Sequence, residues 1–316
     1  MSSGGVERVC IVGAGAIGGL FGGQLAALPE LEVWAYDASA EHVAAINRDG
    51  LRITGRLELT ARIHARSDPA EIPPCSLGIV ATKGTVTDAA IAATAGVLAD
   101  AAVCSVQNGI GNEELIAEHV SRVIRGVTLA SGAVSAPGVI HADAPGPTWI
   151  GPFEPRPASW AEIERLGELL ERAGMETRVM RDVRGAQWTK VIFNASTNPL
   201  CALSGLTHGE LCAYGPTRRL VDALIDEAKA VADALGIALD EDPAALNERA
   251  ARVNPDHRPS MLQDVAAHRR TEIDTLNGGI VDAGRRAGVP TPLHAAVADL
   301  IRGVERSWEW AATLPP

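Results

Sequence analysis

The first half of the chain alternates short apolar runs with amphipathic stretches. Apolar runs predict strands at residues 9–12, 31–37, 77–81 and 102–106, and helical spacing predicts helices at residues 38–49, 86–99 and 112–119. A period-two stretch at residues 51–65, broken at Gly55-Arg56, predicts a hairpin. Strands that alternate with helices are typical of a parallel sheet with right-handed crossovers.

Beyond residue 122 the pattern changes. Segments rich in Gly, Pro and β-branched residues at 123–153 predict antiparallel strands at the edge of the sheet. After a helix at 159–173 and a last strand at 176–180, only helical spacing remains, at residues 183–197, 216–235, 243–253, 260–287 and 293–310. We therefore predict an α/β fold, with a dinucleotide-binding Rossmann-type doubly wound sheet in residues 1–181 and an all-helical substrate and dimerisation domain in residues 182–316.

Composition narrows the class of protein. A chain of 316 residues, 47% of them hydrophobic, is long enough for about two folded domains. Its formal net charge of −11 argues against a broad nucleic-acid interface. The five cysteines form no C-x-x-C pair, so we expect neither a disulfide framework nor a metal site. Neither a secretory leader nor a run of 18 apolar residues is apparent, so we expect a cytoplasmic protein without membrane contact.

The clearest motif is the run Gly13-Ala14-Gly15-Ala16-Ile17-Gly18, which matches G-x-G-x-x-G between a predicted strand and a predicted helix. The first glycine of this motif permits a tight turn, the second lets a pyrophosphate approach the backbone, and the third allows close packing of helix on strand. We predict a dinucleotide site with cofactor contacts from Gly13, Gly15, Ala16, Ile17 and Gly18. A structural turn without a ligand is the alternative.

Asp37 ends the second predicted strand, about 20 residues after Gly18. A carboxylate there accepts hydrogen bonds from the adenosine ribose and repels a 2′-phosphate, so the sequence favours NAD(H) over NADP(H). The alternative role is the N-cap of the next helix, which Ser39 can supply instead. Lys83 and Asn108 follow two further predicted strands, where ligands of doubly wound sheets bind, so we predict that both lie at a cofactor or substrate.

In the second half, Lys190, Asn194 and Asn198 recur at every fourth position and share one face of a predicted helix. Asparagine is a poor helix former, and Pro199 is expected to end or kink the helix just after Asn198. We interpret this face as the wall of a polar cavity. A solvent-facing stripe is the alternative.

Ser260 and Gln263 form a capping-box pattern at the start of the helix predicted at residues 260–287. A serine hydroxyl at a helix N-terminus caps the helix, and it can also bind a substrate carboxylate, so both interpretations stay open. Glu272 lies three turns along the same predicted helix, where an ordinary exposed carboxylate is the simplest interpretation.

Taken in order, these motifs resemble the ketopantoate reductase family over nearly the whole chain. The resemblance is carried by Gly13-x-Gly15-x-x-Gly18-Gly19, Thr82-Lys83, Gln107-Asn108-Gly109-x-Gly111, Trp188-x-Lys190-x-x-x-Asn194-x-x-x-Asn198-Pro199, Gly209-Glu210-Leu211, Ser260-Met-Leu-Gln-Asp264 and Thr271-Glu272-Ile-Asp.

The resemblance implies a Rossmann domain joined to a helical domain, with the active site in the cleft between them. It implies reduction of 2-dehydropantoate to pantoate by NADPH, in the pathway to pantothenate. By the same resemblance, Lys190 is the general acid and Glu272 holds the lysine and the substrate in place. The resemblance also implies that Asn194 and Asn198 bind hydroxyl and carbonyl groups of the substrate, and that Ser260 binds its carboxylate. It further implies that Lys83 and Asn108 line the nicotinamide end of the cofactor.

The implied chemistry suits these residue types. Hydride delivery to a 2-oxo carbon builds negative charge on oxygen, and an ammonium about 3 Å away stabilises that charge and supplies the proton. The expected partner is therefore a small 2-oxo acid. Two alternatives remain, an NAD-linked dehydrogenase of the same fold for a different 2-hydroxy acid or alcohol, and a non-catalytic dinucleotide sensor. The apolar spacing at residues 293–310 suits a homodimer contact as well as a core.

Overall fold

The computed structural model describes residues 6–311, with the side chains at positions 310 and 311 excepted. Residues 1–5 and 312–316, which enter the leader expectation and the domain limits above, lie outside the described residues. The described chain falls into two compact units, one made of the residues up to Gln107 together with Asn112–Val183, the other of Asn108–Gly111 together with the residues from Arg184 onward.

The first unit is built of strands and helices. Its strands are β1 (Glu7–Val12), β2 (Leu31–Tyr36), β3 (Leu51–Gly55), β4 (Leu59–Ala61), β5 (His64–Arg66), β6 (Leu77–Val80), β7 (Ala102–Ser105), β8 (Val123–Thr128), β9 (Ser131–Ala136), β10 (Val139–Ala144), β11 (Thr148–Pro152) and β12 (Thr177–Val179). Its helices are α1 (Ala16–Leu25), α2 (Ala40–Asp49), α3 (Thr87–Thr94), α4 (Asn112–His119) and α5 (Trp160–Arg172).

Eight of these strands form one sheet, in the spatial order β12-β11-β8-β7-β6-β1-β2-β5. Its six parallel strands, numbered along the chain, lie in the order 3-2-1-4-5-6 of a Rossmann fold. Alternate residues of β1 pack into two different apolar cores. Val9 and Ile11 belong to one core, and Cys10 and Val12 belong to the other. A sheet buried on both faces is what an apolar strand without polar alternation predicts, and the predicted fold class is confirmed.

The prediction for residues 123–153 needs correction. Of these strands only β11 lies antiparallel in the large sheet, where it pairs with β8 on one side and with the edge strand β12 on the other. Strand β8 itself is parallel to β7. Strands β9 and β10 instead join the 51–61 hairpin in a separate sheet of order β4-β3-β10-β9, in which β10 is parallel to β3. The local pattern identifies these strands, but it does not specify which distant strand each one pairs with.

The second unit is helical in all of its described elements. Its helices are α6 (Arg184–Ser204), α7 (His208–Ala213), α8 (Gly215–Ala234), α9 (Pro243–Val253), α10 (Ser260–Ala266), α11 (Asn277–Ala287) and α12 (Pro292–Ala311). One apolar core joins them, with Trp188, Leu224, Ile280 and Ile301 among its members. Within residues 6–311, no helix combines the length and the apolar character that spanning a membrane requires.

Two predictions for this unit need correction, the end of the helix after Asn198, which is one of two predicted alternatives with a kink, and the unbroken helix at residues 260–287. Helix α6 does not end after Asn198 but continues through Pro199 to Ser204. The helix predicted at residues 260–287 is interrupted, because the N–H and the hydroxyl of Thr271 donate to the buried carboxylate of Glu305, at 2.8 and 2.7 Å. This long-range contact lies where the predicted helix is interrupted, between α10 and α11, so Glu272 lies in a connection and not on a helix.

Candidate active site

In the glycine-rich turn after β1, the first and last glycines are tightly packed, and the middle glycine faces open space. Gly13 has φ of +92°, and a Cβ there would lie 2.7 Å from Cγ2 of Thr82. A Cβ at Gly18 would overlap the carbonyl oxygen of Gly13. A Cβ at Gly15, by contrast, would meet nothing within 4 Å. The turn therefore leaves open space where a ligand can approach the backbone of Gly15.

Helix α1 begins directly after this open position. Its N-cap is Gly15, and in the part of the chain that the structure describes no side chain caps its first N–H groups and no acid lies in its first turn. The first residues, Ala16 and Ile17, thus start a helix whose positive end and unpaired N–H groups are available to an anion. This arrangement fits the pyrophosphate of a dinucleotide.

Asp37 connects the glycine turn to the start of α2. Its Oδ2 accepts the N–H of Ala14 at 2.9 Å, and its Oδ1 accepts the N–H of Ser39 at 2.9 Å. Ser39 is the N-cap of α2, since its hydroxyl accepts the N–H of His42 at 3.3 Å. Asp37 is therefore not the cap. It is half-buried and lines a cleft of about 260 Å³ together with Gly15, Ser39, His42 and residues 134–137.

His42 is a site residue that the sequence analysis missed. Its ring is buried. Nε2 lies 2.9 Å from the carbonyl oxygen of Ala14, and Nδ1 accepts the N–H of Gly138 at 3.0 Å. Because the carbonyl oxygen only accepts, the ring proton is on Nε2. His42 thus holds the glycine turn against the β9–β10 hairpin. The available signal was a histidine at an apolar position of an amphipathic helix.

The ends of β6 and β7 are joined by one glutamine. Nε2 of Gln107 lies 2.9 Å from the carbonyl oxygen of Thr82 and 2.7 Å from the hydroxyl oxygen of Thr87. This amide fixes the backbone just before Lys83, whose side chain is exposed at the carboxyl end of β6. Lys83 thus lies at the edge of the sheet where ligands of Rossmann folds bind.

In the helical unit, one amide joins the two residues that were predicted to be catalytic. The ammonium of Lys190 donates to Oδ1 of Asn108 at 2.7 Å. Nδ2 of the same asparagine donates to Oε2 of Glu272 at 3.1 Å. A cation, an amide and a carboxylate therefore form a continuous hydrogen-bonded group. The sequence analysis placed Asn108 at a cofactor or substrate but did not predict this link.

The backbone that follows Asn108 contacts the helical unit closely. The N–H of Ile110 donates to the carbonyl oxygen of Thr275 at 2.8 Å. Gly109 has φ of +96°, and a Cβ there would lie 2.5 Å from Cβ of Thr275. The Gln107-Asn108-Gly109-x-Gly111 motif therefore needs glycine at its third position for a close backbone approach beside Glu272.

Burial sets the electrostatics of this group. It lowers the pKa of Lys190 to about 8, while the carboxylate of Glu272 acts in the opposite direction and favours the ammonium. Glu272 is itself buried, with 8% of its surface exposed. Lys190 is thus protonated at neutral pH and releases its proton more readily than an ordinary lysine, which suits a general acid.

The other predicted substrate residues lie on two helices. Asn194 and Asn198 follow Lys190 on α6, and Asn198 is only 6% exposed, which argues against a solvent-facing stripe. Ser260 is the exposed first residue of α10 and not its N-cap, so the predicted capping box is wrong. Gln263 instead donates its side-chain N–H to the carbonyl oxygen of Arg258 at 2.9 Å. Among the described residues, no hydrogen bond joins Ser260 to Lys190.

Two family models match the chain. The model described as "Ketopantoate reductase PanE/ApbA" matches residues 9–155, and "Ketopantoate reductase PanE/ApbA C terminal" matches residues 182–305. The chain belongs to the ketopantoate reductase family. It is 31% identical to the 2-dehydropantoate 2-reductase of Archaeoglobus fulgidus, over 95% of this chain and 98% of that protein.

Two solved structures of similar proteins superpose on nearly the whole of this chain. A ketopantoate reductase of this family from Ralstonia eutropha has a TM-score of 0.87 at 31% identity, covering 96% of this chain and 99% of that one. D-mandelate dehydrogenase in complex with NADH and anilino(oxo)acetate also has a TM-score of 0.87, at 26% identity, covering 95% of this chain and 99% of that one. As a member of the ketopantoate reductase family, this chain is a nicotinamide-dependent oxidoreductase that acts on a CH–OH group.

Proposed function

We propose that this chain reduces 2-dehydropantoate to pantoate, and that Lys190 supplies the proton. The observation that carries the proposal is the hydrogen-bonded group of Lys190, Asn108 and Glu272. It occurs in a chain that is 31% identical, over nearly its full length, to a 2-dehydropantoate 2-reductase. A half-buried ammonium, linked through an amide to a buried carboxylate, suits a reaction in which negative charge builds on a ketone oxygen.

Lys190 acts as the general acid in this proposal. As charge develops on the substrate oxygen, the ammonium stabilises it and then donates its proton. Asn108 orients the ammonium through its side-chain oxygen, 2.7 Å from Nζ. Glu272 holds the Asn108 amide from the other side, and its charge keeps more of Lys190 protonated than burial alone would.

The cofactor is held by the first unit. Gly15 and the start of α1 would hold the pyrophosphate, and the carboxylate of Asp37 would accept hydrogen bonds from the adenosine ribose. When bound, the nicotinamide supplies the hydride. Lys83, at the carboxyl end of β6, is assigned to the nicotinamide end, as the family resemblance implies. The same assignment for Asn108, which belongs to the helical unit, stays a prediction.

We propose NADH as the preferred cofactor. Asp37 lies on the cleft beside Gly15, where its carboxylate would repel a 2′-phosphate. The structurally similar D-mandelate dehydrogenase has a structure with NADH. The support from Asp37 uses residues of the first unit alone and is independent of the substrate assignment.

The substrate is held by neutral polar side chains on the helical unit. Asn194 and Asn198 can donate to the ketone and exchange hydrogen bonds with the substrate hydroxyl, since a side-chain amide both donates and accepts. The exposed hydroxyl of Ser260 donates to the carboxylate. A homodimer stays a prediction, which the mass of the protein in solution tests.

The test is the oxidation of NADH and NADPH by the full chain with a panel of 2-oxo acids. The proposal predicts the highest kcat/KM with 2-dehydropantoate, and a higher kcat/KM with NADH than with NADPH. A clear preference for phenylglyoxylate or another 2-oxo acid would favour the alternative, an NAD-linked 2-hydroxy acid dehydrogenase. Binding of NADH without oxidation by any 2-oxo acid would favour a dinucleotide sensor.

A further inference from the structure

A proline inside α6 removes one of the hydrogen bonds of that helix. Pro199 is buried and lies between Asn198 and the end of the helix at Ser204. Proline has no N–H, so the carbonyl of Ala195, four residues earlier, loses its usual partner in the helix. Ala195 is fully buried, and a buried polar group without a partner costs about 1–3 kcal/mol.

A side chain from another helix supplies the missing donor. Nδ2 of Asn277, the first residue of α11, donates to the carbonyl oxygen of Ala195 at 3.0 Å. Asn277 is fully buried, so water does not compete for this bond. The amide of Asn277 thus donates to the carbonyl oxygen that would accept the N–H of residue 199 in an uninterrupted helix.

A buried histidine fixes the orientation of this amide. Nδ2 of Asn277 lies 3.0 Å from Nδ1 of His294, and Nε2 of His294 lies 2.9 Å from the carbonyl oxygen of Leu224. Because the Leu224 carbonyl only accepts, Nε2 carries the ring proton and Nδ1 accepts from Asn277. A flipped amide would place its oxygen against two acceptors. Burial also lowers the pKa of His294, which keeps the ring neutral at pH 7.

The bond lies in the middle of the predicted substrate face. Ala195 directly follows Asn194, and it lies one turn before Pro199 and Asn198. We propose that Asn277 is a positioning residue, whose amide replaces the hydrogen bond that Pro199 removes and so fixes the turn of α6 that carries Asn194 and Asn198. This inference rests on the proposed function, which names these two asparagines as substrate ligands.

The test is a double-mutant cycle of Asn277→Ala and Pro199→Ala. The second substitution returns an N–H to position 199, where it can pair with the Ala195 carbonyl along the helix. In the wild-type background, Asn277→Ala should raise KM for 2-dehydropantoate by about tenfold or more, and in the Pro199→Ala background by less than about threefold. The urea midpoint should show the same rescue. Additive effects of the two substitutions, in KM or in the midpoint, would overturn the proposal.

Two further variants separate positioning from packing. Asn277→Asp keeps the size of the side chain but replaces the donor with an acceptor, so KM should rise as it does in Asn277→Ala, and wild-type KM in this variant would contradict the proposal. Asn247→Ala is the matched control, because Asn247 is also fully buried in the helical unit but bonds to His208. Its effect on the urea midpoint should be the same in both backgrounds.

The outcomes also separate this inference from the proposed function. If Asn277→Ala does not fold, the double variant should fold, and a double variant that does not fold contradicts the proposal. A wild-type chain that does not reduce 2-dehydropantoate overturns the proposed substrate, while coupling in the urea midpoints still tests the hydrogen bond. Coupling in the midpoints without any change in the KM of the 2-oxo acid that is reduced would overturn the positioning role.

Discussion

The side-chain oxygen of Asn108 lies 2.7 Å from the ammonium of Lys190, although the two residues are 82 positions apart in the chain. Asn108 is in turn 3.1 Å from Oε2 of Glu272. Lys190, the proton donor of the proposed reaction, is therefore held by an amide from a short loop. The carboxylate of Glu272, on the other side of that amide, balances the charge of the ammonium.

Asn108→Ala should lower kcat for 2-dehydropantoate by about 10- to 100-fold, because the ammonium loses the acceptor that orients it. Steady-state kinetics at saturating cofactor measure the effect. Asn108→Asp keeps an acceptor for the ammonium but sets a second carboxylate oxygen against Oε2 of Glu272, so it should not restore the wild-type rate. An Asn108→Ala variant with the wild-type kcat would show that Lys190 is oriented by other groups.

The rate of reduction should fall as pH rises through about 8. Lys190 must carry its proton to act as the acid, and burial lowers its pKa to about 8. Glu272→Gln removes the charge that favours the ammonium, so the pKa of Lys190 falls further and the alkaline limb of kcat moves to lower pH. Profiles of kcat from pH 6 to 10 for both proteins test this. A limb that stays in place or moves to higher pH contradicts the assignment.

Three glycines should respond differently to alanine. Gly15→Ala should fold like the wild type, since its Cβ meets nothing within 4 Å, but should raise the Kd for NADH by about tenfold or more, because the methyl group occupies the space of the pyrophosphate. Gly18→Ala should lower the free energy of unfolding by at least about 2 kcal/mol, since its Cβ overlaps the Gly13 carbonyl.

Gly96→Ala is the control for both variants, because a Cβ there also meets nothing within 4 Å and the position lies outside the glycine turn. Urea unfolding and NADH fluorescence titration give the two quantities. Tight NADH binding by Gly15→Ala would place the pyrophosphate elsewhere.

Asp37→Asn should reduce the preference for NADH over NADPH by about tenfold, since it removes the charge that repels a 2′-phosphate. In the wild type, the two carboxylate oxygens of Asp37 accept the N–H groups of Ala14 and Ser39, one each. The amide of the variant keeps an oxygen for one of these two N–H groups. Asp49→Asn, at the other end of α2, removes an exposed charge about 15 Å along the helix and should leave the preference unchanged. The ratio of kcat/KM values for the two cofactors decides the matter. An unchanged ratio in Asp37→Asn would mean that this carboxylate only supports the glycine turn.

Local sequence signals were sufficient for much of this fold. Helices α4 and α9 begin and end where the predicted spacing places them, at Asn112–His119 and Pro243–Val253. Their ends are marked by residues of the segments themselves, such as the Asp242 side chain that accepts the N–H of Ala244 at the start of α9. The parallel arrangement of the sheet also follows, because strands that alternate with helices are joined by crossover connections.

The failures share a physical cause, which is a partner far away in the sequence. Pro199 does not end α6, since Asn277 supplies a donor from 78 residues further along the chain. The helix predicted through Thr271 is broken by the buried carboxylate of Glu305. The hydrogen bond between Asn108 and Lys190 likewise joins residues that are far apart in the sequence. Periodicity carries no information about such pairs, so the residue types of the site are predictable and their contacts are not.

The most direct test of the account is the effect of Lys190→Ala on the reduction of 2-dehydropantoate. We predict that kcat falls by at least about 100-fold while the Kd for NADH changes by less than about threefold. Lys229→Ala, which removes an exposed lysine paired with Asp242, is the control and should keep the wild-type kcat. A Lys190→Ala variant that reduces 2-dehydropantoate at the wild-type rate would contradict the central claim that Lys190 supplies the proton.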